Sequence, residues 1–337
     1  MATAAPEVPA KAPLTRINWA AKLNLGIPAA RCHQIMMDVI TEYNSPTDGL
    51  IEGMSTKIAA LEKRGAAPET IANLKISLTD VKSQKIHRAE SAQYAIARIA
   101  NSIVKQLSYA ALLTSADEEK KRLDIPHIHA GDKIDALSTA PLFRDLPSYK
   151  NWKEEMRVAE EASAARKARA EIEKAAGRPA AAAAKEQRAP FETYVKKIVH
   201  EVINSAAQFK VVGKDAAKPP SKPRLRGLLR RHISAIVVDF CRTITKTAIT
   251  ILNGMGKAHT VNGKHIILAV EAIMVNANVD DVARRRIIKA AEDCVTLHTQ
   301  VRKEREVEKE RVKAAAADDA AASAASDAPV EDDGADV

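Results

Sequence analysis

Two apolar stripes, one in each half of the chain, restrict its fold more than any other feature. In the first, Ala95, Ile96, Ile99, Ile103, Val104, Leu107, Ala110 and Ala111 recur at intervals of three and four across residues 90–116. In the second, Leu228, Leu229, Ile233, Ile236, Val237, Phe240, Ile244, Ala248, Ile251 and Leu252 do the same across 224–253. Such spacing lines one side of an α-helix. A helix over 90–116 is about 40 Å long at 1.5 Å per residue. Each long stripe is flanked by short helical stretches, 28–43 and 127–136 in the first half, 190–206 and 263–275 in the second. Short neighbours cannot cover a stripe of that length, so the halves must pair at their long helices, within one chain or between chains. The predicted pairing core is Ile96, Ile99, Ile103, Leu107, Ile233, Val237, Phe240 and Ile244. With only 3% aromatic residues and 12 Gly in 337 positions, the composition favours helix over sheet, and the fold class is all-α.

The remaining segments have distinct grammars. Residues 1–13 are rich in Pro and Ala and read as a disordered tail. Residues 14–149 form a first unit, in which Pro46 and Gly49 end the 28–43 helix and a polar, helix-capable insert fills 44–84. Residues 150–189 are rich in Ala, Lys and Glu with few large apolar side chains, and read as a solvated helical linker broken at Gly177 and Pro179. Residues 190–313 form a second unit that ends in a charged helix over 279–312. Residues 314–337 read as an acidic disordered tail.

Charge is unevenly spread. The formal net charge is +9, yet the tail holds Asp318, Asp319, Asp327, Glu331, Asp332, Asp333 and Asp336 and no Lys or Arg; without those seven, residues 1–313 carry +16. A basic body with an acidic tail points to a polyanionic partner, nucleic acid first. Cys32, Cys241 and Cys294 are far apart and odd in number, which supports neither a disulfide framework nor a CxxC metal site and suggests a reducing compartment. Cys32 beside His33 lacks further ligands, so Cys32 is predicted to be a buried small residue and His33 to pack or cap. No cofactor, metal, membrane association or cleaved signal peptide is expected. Asp38, Glu42 and Glu90 make no catalytic pair, and no Gly-rich phosphate loop or nucleophile elbow occurs, so no enzyme activity is expected.

The helix starts and loops resemble a known family. Leu25-Gly26-Ile27-Pro28-Ala29-Ala30-Arg31-Cys32-His33-Gln34-Ile35-Met36 resembles the start of the first helix of histone 2A, Leu-x-Phe-Pro-x-x-Arg-x-His-x-Leu-Leu, matching at Leu25, Pro28, Arg31 and His33. Arg88 resembles that family's first-loop arginine, and Lys120-Lys121-Arg122-Leu123-Asp124-Ile125-Pro126 resembles its second loop with a slip of one residue. The second half is similar to histone 2B. Tyr194-Val195-Lys196-Lys197-Ile198 fits its first helix, and His259-Thr260-Val261-Asn262-Gly263 through Val270 fits its second loop and third helix. The likeness covers about 25–43, 86–136 and 190–300. The inserts at 44–84 and 207–223 depart from the pattern. The chain thus resembles a histone doublet, a 2A-like half fused to a 2B-like half, of the kind known from marseillevirus-like giant viruses.

The resemblance implies two histone folds paired as a handshake. It implies a structural role in packaging double-stranded DNA without sequence preference, with a histone 3/4-type doublet or tetramer and a second copy of the chain as partners. The implied location is the virion and the viral factory or host nucleus. The loops imply a set of DNA-contacting residues: Arg31, Arg88, Lys121 and Arg122 in the first half, and Tyr194, Lys222, Arg224, Arg226, Lys257, His259 and Thr260 in the second. Aligned with the family, the positions of its disc-face carboxylates fall on Ser102, Leu107, Ala110 and Lys289, with Asp132, Asp135 and Asp281 nearby; this implies a weakened acidic patch. The alternative is a histone-fold regulatory subunit that reads a specific DNA site, which would need base-reading side chains beyond the loops. A helical scaffold without a nucleic-acid role would leave the basic residues at both loop pairs unexplained.

Overall fold

The computed structural model describes residues 18–118, 122–129, 141–175, 189–205, 223–256 and 259–326. The first half runs α1 (Trp19–Lys22), α2 (Ala29–Lys63), α3 (Pro68–Ser83), the two-residue strand β1 (His87–Arg88), the long helix α4 (Glu90–Asp117), β2 (Arg122–Leu123) and α5 (Pro126–His129). Three helices follow, α6 (Pro141–Arg144), α7 (Pro147–Lys150) and α8 (Trp152–Ala175). The second half runs α9 (Glu192–Ser205), β3 (Arg224–Leu225), the long helix α10 (Gly227–Gly254), β4 (Thr260–Val261), α11 (Gly263–Asn276) and α12 (Asp281–Ser326). The described residues are predominantly helical, as the composition predicted.

Helix starts carry their own signals. Pro28 precedes α2 with φ −66°, a value its ring fixes, and Pro68 occupies the first turn of α3. Asn262 caps α11: its side-chain oxygen accepts from the Lys264 and His265 amides at 3.0 and 3.2 Å, while the Asn262 amide donates to His265 Nδ1 at 3.2 Å. This is a reciprocal capping box.

The two halves interlock. α4 packs against α9, α11 and α12 of the second half, and α10 packs against α2, α4 and α7 of the first. At the ends of the long helices the loops pair reciprocally. β1 lies parallel to β4, with His87 opposite Thr260 and Arg88 opposite Val261. β2 lies parallel to β3, with Arg122 opposite Arg224 and Leu123 opposite Leu225. All eight predicted pairing residues are buried in one continuous cluster, so the halves pair within one chain. Cys32 and Cys241 meet inside this cluster, both fully buried; the Cys241 thiol and then burial push the Cys32 thiol well above its ordinary range.

Several expectations need correction. The 28–43 helix does not end at Pro46 and Gly49 but continues as α2 to Lys63. Pro46 is exposed, so water can take the Glu42 carbonyl that loses its intrahelical partner. The insert is an α2–α3 helical hairpin whose neck is clamped. Asn44 Nδ2 donates to the Ile86 carbonyl at 2.9 Å, and the Ile86 amide donates to Asn44 Oδ1 at 3.0 Å. Lys85 forms an ion pair with Asp48 beside it. Residues 224 and 225 form a strand rather than the first turn of the long helix. The linker is not solvated throughout, because Trp152 and Met156 pack against the core. α12 runs on to Ser326, into the segment read as a disordered tail; Ala314–Ala317 and Ala320–Ala322 are strong helix formers that extend it. The tail at 1–13, most of the predicted 127–136 helix and the break at Gly177 and Pro179 lie outside the described residues. Among the described residues, no helix is long and apolar enough to cross a membrane.

Candidate nucleic-acid interface

The reciprocal loop pairing creates two edges. One is β1/β4, at the start of α4 and the end of α10; the other is β2/β3, at the end of α4 and the start of α10. The 28 residues of α4 separate them by about 42 Å at the α-helical rise.

At the β1/β4 edge the backbone is tightly bonded. The His87 amide donates to the His259 carbonyl at 2.7 Å, and the Ala89 amide donates to the Val261 carbonyl at 2.8 Å. The Gly263 amide donates to Ser91 Oγ at 3.1 Å. A Cβ at Gly263 would sit 2.7 Å from a Val295 methyl of α12, so any larger residue would have to displace that side chain. Arg88 is half-buried and donates through Nη1 to Gln93 Oε1 at 2.9 Å, while His259 and Thr260 are exposed. His33 lies close to Arg88; burial, and then that guanidinium, hold its imidazole below the ordinary histidine range, and its Nδ1 has no hydrogen-bond partner among the described residues.

At the β2/β3 edge, Arg122 and Arg224 stand opposite each other and both are exposed. Arg226 donates its amide to the Leu123 carbonyl at 3.2 Å and pairs its guanidinium with Asp124. The same loop is pinned from behind. His129 Nε2 lies 2.8 Å from His232 Nε2, and His232 Nδ1 lies 2.8 Å from Glu155 Oε2 of α8. Trp152 stacks on His129 with ring centroids 4.6 Å apart. Burial, and then His232, push His129 down to about 3.

A third position lies near the middle of α4. The start of α2 approaches α9 there: a Cβ on Gly26 would lie 3.0 Å from Ile198 and against Asn101 of α4. Arg31 is exposed on the first turn of α2, and Tyr194 of α9 is half-buried against the core.

The structure therefore brings Arg88, His259 and Thr260 to one edge, Arg122, Arg224 and Arg226 to the other, and Arg31 and Tyr194 to the helix pair between them. Lys121, Lys222 and Lys257 lie outside the described residues, as do Asp132 and Asp135. Lys196, Lys197 and His200 were missed. They occupy the exposed face of α9, opposite Val195, Ile198, Val199 and Ile203, and that amphipathic spacing was the available signal. The acidic-patch alignment needs correction: Leu107 and Ala110 are buried and present nothing at a surface. Cys32 is buried as predicted. Among the described residues, no group of three or more His, Cys, Asp and Glu side chains converges as a metal site.

Compared with protein-family models, curated proteins and solved structures, the chain matches none.

Proposed function

We propose that the chain is a DNA-packaging subunit built as two histone folds in a handshake, a 2A-like and a 2B-like half in one polypeptide. It binds and bends double-stranded DNA without reading its sequence. The observation that carries this reading is the reciprocal parallel pairing of the loops, β1 with β4 and β2 with β3. Such pairing sets exposed backbone, helix starts and basic side chains at regular places along one molecule, where phosphates can bind. Like-charged Arg122 and Arg224 held opposite each other repel across the strands, and a phosphate between them relieves that repulsion. The side chains at the edges are Arg, His and Thr, suited to phosphate and minor-groove contacts.

A histone 3/4-type partner is supported by α11. Leu268 and Val275 lie two turns apart on one side of it and are 40% and 47% exposed. Exposed large apolar residues aligned on one helix suit a protein partner. Two copies of this chain with such a partner would form a nucleosome-like particle that compacts a viral genome in the virion, the viral factory or the host nucleus. Reconstitution with a histone 3/4-type doublet on DNA, followed by nuclease digestion, tests the proposal. A discrete protected length is expected. A smear, or affinity that is sequence-specific and insensitive to salt, overturns it.

A further inference from the structure

Cys32 and Cys241 take no part in either loop edge. Cys32 lies in the first turn of α2 and Cys241 at the middle of α10, 209 positions further along the chain and in its other half. The two helices pack against each other, and both side chains are fully buried in the core they share. There the Cys32 and Cys241 thiols are hydrogen-bonded to each other. Thiols in such contact are within reach of a disulfide. Cys294 is engaged elsewhere: it belongs to α12, and its Sγ lies 3.7 Å from the Tyr94 carbonyl. All three are free thiols. Spacing along the chain favoured no pairing among them; the fold selects one.

We infer that Cys32 and Cys241 are a disulfide site, oxidised by a low-molecular-weight disulfide, whose bond joins the two halves of the chain covalently. One cysteine thiolate attacks the small disulfide, RSSR, which leaves a mixed disulfide on the protein and releases one RSH. The second thiolate attacks the protein sulfur of that mixed disulfide, which forms the Cys32–Cys241 bond and releases the second RSH. The two thiols lose two electrons, RSSR gains them, and the two thiol protons leave on RSH. Burial decides when this happens. The Cys241 thiol, and then burial, hold Cys32 in its protonated form, and exchange needs the thiolate. The closed chain therefore does not react. Reaction starts while the halves fold or open, when the thiols meet water. A carrier left on one sulfur has no room in a close-packed core, so closure expels it in favour of the neighbouring sulfur. The same packing then shields the bond from reductants. Under reducing conditions the halves are held by packing alone. The inference concerns the pairing of the halves, needs no DNA, and stands or falls apart from the packaging role.

The test uses the full chain without DNA. Reduced protein is refolded from urea in a buffer of reduced and oxidised glutathione, so that the oxidant meets every thiol before the core closes. Free thiols are then alkylated in denaturant, and the digest is read by mass spectrometry without reduction. The expected result is one alkylated cysteine, Cys294, and a peptide pair joined through Cys32 and Cys241 within one chain. The Cys294→Ser chain should form the same bond and keep no free thiol. The Cys32→Ala chain should form none. The closed loop should raise the urea midpoint of the oxidised chain by about 1 M over the chain refolded without oxidant, and reduction in denaturant should remove the gain. Three alkylated cysteines overturn the inference and leave the pair as packing alone. So does glutathione retained on Cys32 or Cys241, or a bond that uses Cys294 or joins two chains. A Cys32–Cys241 bond that leaves the midpoint unchanged overturns the locking of the halves.

Discussion

The two loop edges use the same backbone pairing but are held together differently. The β1/β4 edge is a hydrogen-bonded scaffold. Asn44 clamps Ile86 just before β1, Ser91 accepts from Gly263, Asn262 and His265 cap each other's helix start, and Arg88 rests on Gln93. The β2/β3 edge stands on charge. Arg122 faces Arg224, Arg226 pairs with Asp124, and a His129–His232–Glu155 chain braces it from α8. The first edge is held by neutral hydrogen bonds, whereas the second sets two exposed arginines opposite each other. Identical topology thus carries two edges of different chemistry, one held mainly by hydrogen bonds and one rich in charged and ionisable side chains.

The strongest way to break the comparison is to remove what both edges share. Phe240 is buried on α10 and meets Phe143 edge-on at 6.1 Å. Phe240→Ala is expected to cost about 3–5 kcal/mol, read as a lower urea midpoint, with amide protection lost at both edges together. Selective loss at one edge would show that they fold independently.

The second test separates the edges by charge. Arg122→Glu with Arg224→Glu is expected to lower the slope of log DNA affinity against log salt by roughly two, near 0.9 per lost phosphate contact. Arg88→Ala, whose guanidinium is already engaged by Gln93, is expected to change it by less than about one on the same rule. Equal effects would erase the distinction.

A third test loosens the scaffold. Asn44→Ala leaves the Ile86 amide and carbonyl without their partner and is expected to cost about 1–3 kcal/mol. Asn262→Ala removes a helix cap worth about 1 kcal/mol. Both should appear in the denaturation midpoint and leave the salt slope of DNA binding unchanged.

The smallest effect is pH-dependent. His129 is held down to about 3 by burial and then by His232, against about 6.5 for an unperturbed histidine. Between these values the unfolded chain binds a proton that the folded chain excludes, so stability falls as pH drops from 6.5 toward 3. His298, at the other edge, is also lowered, by burial against the opposing pull of Glu90. The deeper depression at His129 predicts that acid loosens the β2/β3 edge first. Fluorescence of Trp152, which stacks on His129, should change before global unfolding in a Trp19→Phe background. A His129→Gln chain should lose that early change.

The long helices and their pairing were legible because a 40 Å apolar stripe leaves few partners that can cover it. The eight pairing residues all lie in the core for that reason. Local rules misled where tertiary structure overrode them. Pro46 is a strong breaker in isolation, yet on an exposed helix side it costs one hydrogen bond, and the packing of α3 keeps α2 continuous. The Asp124–Arg226 pair and the His129–His232–Glu155 chain join residues 77 to 103 positions apart, and no spacing rule reports such meetings. Leu107 and Ala110 were assigned to a surface by alignment although their own stripe placed them in the core. The antiparallel packing of α12 on α4 joins residues two hundred positions apart, as Cys294 against the Tyr94 carbonyl, which periodicity within each helix does not reveal.

Because α4 and α10 belong to one polypeptide, their pairing is a unimolecular event. For separate chains, the melting temperature follows protein concentration, and dilution dissociates the pair. Here the partner is always present at the local concentration the connecting segment sets, however dilute the solution. The two halves are made in a fixed one-to-one ratio. Neither is left exposing an apolar stripe without a mate.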